Sequence, residues 1–324
     1  MLPNFSYVRV KSVSEAVKAL AAPGTRLHAG GTDLLGCLRE RVLTADKVVS
    51  LGGVAALRGI SVPAAGGLRI GAMTTIADVA ANKQVLERYA ALAQAAASVA
   101  SPQLRNQGTL GGNLCQRPRC WYFRGDFHCL RKGGDTCYAL QGENQYHAIF
   151  GASACCMVHP SDTAVALVAL GARARVSGPG GVRTIPLGAL FLLPDKDVTR
   201  ETVLARGEIL TDVLLPAVAP GSKSSYRKVR SRGAWDFALA SVALALAVDS
   251  AGVVTQARVV LGAAAPAPWR AEAAEKAIVG SKLTPGVAAR AAEAAIAGAQ
   301  PLSQNEYKLA LFRGIVEEQL LAIA

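Results

Sequence analysis

The sequence predicts an α+β chain of two domains. Strand and helix patterns alternate over residues 5–53, glycine-rich turns fold strand pairs back on themselves in the middle, and from Ala271 on the chain is alanine-rich with helical periodicity. Its 324 residues, 51% hydrophobic, suffice for one large core or two ordinary ones, because burial efficiency rises with size. Two is the expectation, since a Pro/Gly/Ser-mixed segment, PAVAPGSKSS (216–225), marks a domain boundary near residues 217–224.

Taken in order, FSYVRV (5–10) alternates as a strand. SVSEAVKALAA (12–22) is a helix with Ser12 as N-cap and Glu15 three positions on, the pattern of a capping box. TRLHA (25–29) is a second strand, TDLLGCLRERV (32–42) a helix and DKVVSLGG (46–53) a third strand, which closes a small α/β unit. ISVPAAGGLRIGA (60–72) reads as a hairpin about Gly66 and Gly67, followed by helical stretches at 74–86 and 88–100. Further on, SDTAVALVALGA (161–172) is a buried helix capped by Ser161 or Asp162, and RARVSGPGGVRTIPL (173–187) a second hairpin. ASVALALAVDSAGVVTQARVVLGAA (240–264) is two apolar strands, or a helix and a strand, about DSAG. The tail is three helices whose alanine content means high helix propensity.

No apolar run reaches the ~18 residues of a membrane span, and the N-terminus shows no apolar signal region, so a cytoplasmic chain is expected, or a periplasmic one exported on a signal-bearing partner. The net charge of +12 raises nucleic-acid binding as a class. The cations are spread, however, and only Arg117, Arg119, Arg124, Arg131 and Lys132 crowd together; a basic surface facing an acidic cofactor or partner subunit is preferred, with no nucleic-acid role.

Two glycine turns and a cysteine segment carry the candidate chemistry. HAGGTDLL places Gly30 and Gly31 between a strand and a helix, where bare backbone N–H groups can approach phosphate. NQGTLGGNL brings Thr109, Gly111, Gly112 and Asn113 together in the same way, and two such turns in one domain suggest a dinucleotide. Cys37 reads as a core residue on a helix. The other six cysteines, at 115, 120, 129, 137, 155 and 156, fall in or beside a segment too polar and glycine-rich to be core. Paired knuckles of the zinc type are missing apart from Cys115 and Cys120, while wide spacing suits an iron-sulfur cluster whose negative charge the nearby arginines would offset; cluster, zinc and free thiols all stay open on spacing alone. Trp121, Tyr122 and Phe123 would shield such a site. His28, His128, His147 and His159 are scattered and read as hydrogen-bonded structural residues.

AGGTDLL (29–35), RNQGTLGGNLCQRPRCWYF (105–123), HPSD (159–162) and YRKVRSRGAWDFALASVAL (226–244) together resemble the FAD-binding (medium) subunits of molybdenum hydroxylases, the xanthine dehydrogenase family, over essentially the whole chain. The cysteine segment is similar to that of members with an extra [4Fe-4S] cluster, aldehyde oxidoreductases and 4-hydroxybenzoyl-CoA reductase among them. The resemblance implies a two-lobed FAD-binding domain of the vanillyl-alcohol-oxidase (PCMH) type over 1–217, with lobes 1–56 and 57–217 and a cluster loop at 115–156. A CO-dehydrogenase-flavoprotein-like α+β domain would follow over 224–324. It implies that Leu27, His28, Ala29, Gly30, Gly31, Thr32, Asp33 and Leu34 wrap the FAD pyrophosphate. Thr109, Gly111, Gly112 and Asn113 would make a second phosphate and ribityl contact, and Asp162, Leu204 and Lys228 further flavin contacts. The cluster ligands it implies are Cys120, Cys129, Cys137 and Cys155, with Cys156 and Cys115 competing for the fourth place; the reductase branch puts that ligand near Tyr146, which is not a cysteine.

The implied function is electron transfer. A molybdenum-cofactor large subunit and a [2Fe-2S] small subunit would feed electrons to FAD here, and FAD would pass them to an external acceptor, with no catalytic residue of this chain touching the organic substrate. The alternatives are a free-standing flavin oxidoreductase and a nucleic-acid-binding protein with a structural metal loop.

Overall fold

The computed structural model describes residues 1–324. Its first unit is a parallel sheet of β1 (Ser6–Arg9), β2 (Thr25–His28) and β3 (Lys47–Ser50), ordered β1-β3-β2. Parallel neighbours need crossovers, and the helices Val13–Leu20 and Leu34–Arg39 supply them. Ser12 caps the first, accepting the Glu15 N–H at 3.1 Å. The Glu15 carboxylate takes the Lys11 N–H at 2.8 Å, one residue earlier than a capping box would have it.

The second unit is an antiparallel sheet of β4 (Ile60–Ser61), β5 (Leu68–Gly71), β6 (Arg173–Gly178), β7 (Gly181–Pro186) and β8 (Ile209–Leu215), ordered β4-β5-β8-β6-β7. Both expected hairpins, β4–β5 and β6–β7, are there. β8 has no counterpart in the sequence reading; ILTDVLL pairs on both sides in the middle of the sheet and is buried at six of its seven positions. The helix Asp162–Ala169 is buried along its whole length, as its all-round apolar sequence requires. It packs on the helix Ala90–Ser98 and on the C-terminal sheet.

That last sheet is antiparallel: β9 (Ser222–Val229), β10 (Ala240–Val248), β11 (Val254–Gly262) and β12 (Trp269–Arg270), ordered β12-β11-β10-β9. The DSAG turn therefore joins two strands, consistent with the β-branched residues on either side. The three tail helices, Glu272–Ile278, Pro285–Ile296 and Tyr307–Ile323, enclose a separate core with β10 and β11. Two more expectations change. NQGTLGGNL is not an open loop, since Leu110–Leu114 is a short helix capped by Thr109. Cys129, Cys155 and Cys156 are buried even though the segment reads as polar, because charge pairing removes the surrounding arginines from solvent. No helix is long and apolar enough to cross a membrane.

Candidate functional site: two glycine turns over a cysteine pocket

The first glycine turn leaves β2 and enters the helix Leu34–Arg39. Gly31 takes φ +76°, a left-handed conformation that favours glycine. A Cβ on Gly30 would land on the Gln107 carbonyl, so the two turns stand back to back, and Gln107 Nε2 donates to the Gly30 carbonyl at 3.3 Å. The N–H groups of Gly30, Gly31, Thr32 and Asp33 donate to no protein acceptor. The second turn differs. Gly111 N–H donates to the Ala72 carbonyl at 2.8 Å and Gly112 N–H to Thr109 Oγ1 at 3.2 Å, so its glycines serve close packing, and a Cβ on Gly111 would stand 2.8 Å from that of Ala72.

Both turns open onto one cleft of about 660 Å³, inside the roughly 300–1,000 Å³ usual for cofactor sites. Leu27, Ala29, Gly30, Gly31, Thr32, Asp33 and Leu34 line it from one side, and Thr109, Gly111, Gly112 and Asn113 from the other; Asp162, Leu204 and Lys228 complete the wall. His28 does not line it. Its ring lies beneath Gly31 and edge-on to Tyr7, and burial lowers its pKa. Asn113 Oδ1 accepts the hydroxyls of Ser161 at 2.6 Å and Thr163 at 2.7 Å, which pins it to the start of the buried helix. Asp162 accepts from Tyr226 OH at 2.6 Å and Lys228 Nζ at 2.7 Å, a buried bridge between that helix and β9.

Asp33 ties the cleft to the cysteine segment. Its carboxylate accepts the Arg117 N–H at 2.8 Å and pairs with Arg124 at 2.7 Å and Arg119 at 3.0 Å. Glu201, 6% exposed, pairs with Arg117 at 3.0 Å and Arg131 at 2.7 Å, and burial raises its pKa although both cations pull it down. The expected offset of sulfur charge by five cations is thus mostly redirected to these two carboxylates. Lys132 turns to the Gly125 carbonyl at 2.8 Å. Arg131 alone of the five lines the cavity that the cysteines share, and its Nε and Nη2 have no hydrogen-bond partner.

Cys120, Cys129, Cys137 and Cys155, distant in sequence, face one small cavity of about 20 Å³ with Tyr122, Phe123, Arg131 and His147. Burial pushes the Cys120 thiol up to about 12; interaction with Cys137, then burial, raises Cys155, and interaction with Cys137 lowers Cys156. No three His, Cys, Asp or Glu side chains converge tightly enough for one metal ion. Cys115 lies under the flavin-sized cleft instead, its thiol raised to about 12 by burial. Cys37 is buried as expected, but its sulfur accepts from Arg124 at 2.8 Å. Sequence reading takes His147 as a hydrogen-bonded structural residue, and its Nε2 stands 3.3 Å from Cys120 Sγ. It missed Glu201, for which the lone acid after DVTR gives no local signal.

Comparison with known proteins defines the class. Residues 3–218 match the FAD binding domain in molybdopterin dehydrogenase, and residues 224–323 the CO dehydrogenase flavoprotein C-terminal domain. The chain belongs to the FAD-binding medium subunits of the molybdenum hydroxylase family, and is an oxidoreductase flavoprotein subunit. Among relatives, it is 40% identical to the aldehyde oxidoreductase FAD-binding subunit PaoB of Escherichia coli (strain K12), over 95% of this chain and 94% of that one. It is 29% identical to the carbon monoxide dehydrogenase medium chain of Hydrogenophaga pseudoflava, over 99% and 97%. The solved carbon monoxide dehydrogenase from that organism superposes with a TM-score of 0.78 at 30% identity, covering all of this chain and 98% of its counterpart.

Proposed function

We propose that the chain binds FAD in the large cleft and a [4Fe-4S] cluster on Cys120, Cys129, Cys137 and Cys155, and relays electrons from molybdenum and [2Fe-2S] partner subunits to an external acceptor. The observation that carries the flavin placement is the row of four unbonded N–H groups at Gly30–Asp33. Successive free donors form an anion-binding concavity, and a pyrophosphate would satisfy all of them. The Asp33 side chain, an acceptor only, adds no hydrogen bond to that anion; its carboxylate accepts from Arg117, Arg119 and Arg124 and braces the turn. Lys228, held by Asp162, sets a cation at the far end of the cleft, and Leu204 gives an apolar wall for a ring.

The cluster placement rests on four soft donors in one cavity beside a buried guanidinium with two unsatisfied nitrogens. Thiolates there are unfavourable without a cation, so a metal cluster that displaces their protons is the state in which the charges balance: sulfur against iron, residual negative charge against Arg131. The shared cavity is about 20 Å³, so seating a cluster requires the sulfurs to move apart. FAD supplies a carrier that takes two electrons and can release them one at a time, and the chain's own work is binding, orientation and exclusion of water. We place the boundary between the FAD-binding and C-terminal domains at 217–224, after β8 and reaching into the first residues of β9. The partners follow from relatives named as medium chains and as a FAD-binding subunit.

An absorption spectrum of the purified chain with iron, zinc and sulfide analysis tests both cofactors. Flavin bands with about four irons per chain are expected. Colourless protein with a single zinc overturns the proposal.

A further inference from the structure

Segment 144–148 borders the cysteine pocket, yet most of its hydrogen bonds come from the C-terminal domain, with Ala139 and Cys156 holding it on the other side. Gln304 N–H donates to Asn144 Oδ1 at 2.9 Å, and Asn144 Nδ2 to Ser303 Oγ at 3.0 Å. Asn305 Nδ2 donates to the His147 carbonyl at 3.0 Å. Lys308, wholly buried, donates its three ammonium hydrogens to the carbonyls of Tyr146 (3.2 Å), His147 (2.9 Å) and Ala263 (2.8 Å). A lysine is seldom buried so completely, and here it makes no ion pair. Two of its three hydrogen bonds fix one stretch of backbone and the third ties that stretch to Ala263; the side chain the stretch presents to the pocket is His147.

We propose that His147 is a positioning residue of the cysteine pocket, its Nε2–H held on the Cys120 sulfur by this clasp, so that the C-terminal domain sets the reduction potential of the iron-sulfur site. The inference rests on the cluster reading above. Nε2 lies 3.3 Å from Cys120 Sγ, and the ring is wedged edge-on against Trp121 at a centroid distance of 5.6 Å. Nδ1 has no hydrogen-bond partner. A neutral imidazole carries one ring proton. On Nδ1 that proton would be a buried donor with no partner; on Nε2 it meets a sulfur, and Nδ1 keeps only an open lone pair. A thiolate that accepts a hydrogen bond pushes less charge onto iron, so the reduced cluster is favoured and its potential rises.

The test uses the full chain loaded with cluster. Pulsed EPR on the reduced protein labelled with ¹⁵N-histidine should show one weakly coupled nitrogen, which H147F removes. An EPR-monitored redox titration should place H147F below the wild type, with iron content and flavin midpoint unchanged. At the wild-type midpoint the reduced-to-oxidised ratio should fall several-fold, a tenfold fall being about 59 mV for one electron. H147Q, which keeps an N–H near the sulfur, should recover most of the shift, and K308M should move the potential in the same direction as H147F with the histidine intact. No ¹⁵N coupling in the wild type, coupling strong enough for nitrogen bound to iron, or a wild-type midpoint in iron-replete H147F would each overturn the proposal. Should H147F lose its iron, the wild-type coupling and K308M decide. A wild-type chain without iron strikes the cluster reading itself, and iron analysis shows that before any titration.

Discussion

Glu201→Gln is the sharpest probe of the charge network under the cleft. The change keeps the side chain's volume and removes the one negative charge that Arg117 and Arg131 share, at 3.0 and 2.7 Å, in a site where Glu201 is 6% exposed. Removing one partner of a buried pair costs about 3–5 kcal/mol, because the charge left behind stays desolvated. Glu201 is itself held above its usual pKa by burial, so neutralising it returns part of that cost and the lower end, about 3 kcal/mol, applies to the metal-free chain. In the cluster-loaded chain Arg131 still faces anionic sulfur, one of the two guanidiniums keeps a counter-charge, and the cost falls to roughly half, about 1.5 kcal/mol. Urea unfolding of both forms measures this. With a slope of about 3 kcal/mol per molar urea, the midpoint should drop by about 1 M without cluster and about 0.5 M with it. A drop under about 0.3 M in the metal-free chain, or a loaded chain hurt as much as the empty one, would refute the reasoning.

Further outcomes follow from single sites. Serine at Cys120, Cys129, Cys137 or Cys155 should each lower bound iron, whereas C37S and C115S should leave it unchanged in the same iron assay, since those sulfurs face away from the shared cavity. Gly30→Ala drives a Cβ into the Gln107 carbonyl and separates the two turns; flavin affinity by fluorescence titration should weaken at least tenfold, about 1.4 kcal/mol, while the C-terminal domain's unfolding is unaffected. Lys308 titrates near 7 in the folded chain against 10.5 when unfolded, because burial disfavours its charge. Between those values the unfolded chain binds the extra proton, so stability should rise as pH rises from 7 toward 10.5, by up to about 1.4 kcal/mol per unit. K308M should flatten that slope in melting temperatures taken across the same range, and an unchanged slope would show that the lysine stays charged on its three carbonyls.

Periodicity and capping residues determined most of the elements locally. The Ser12 cap, the hairpin at Gly66 and Gly67, the all-apolar helix at 162–169 and the three tail helices are each set by neighbours a few positions apart, and each stands where that chemistry puts it. β8 was illegible for the opposite reason. ILTDVLL is a strand because β5 and β6 flank it, and those partners are far off in sequence. The glycine turns were visible as turns, but only packing shows that the first keeps its N–H groups free while the second engages its own with Ala72 and Thr109. The arginines of the cysteine segment could be read as charge near sulfur; where they point depended on Asp33 and Glu201, brought in from other elements. His147 is the clearest case, a lone histidine in a polar stretch whose position beside Cys120 is set by contacts from residues 303–308. Local sequence decides what a short segment can be, because its competing interactions are local; what a polar side chain faces is decided by whichever distant partner satisfies it once water is excluded, and that is settled only when the domains close.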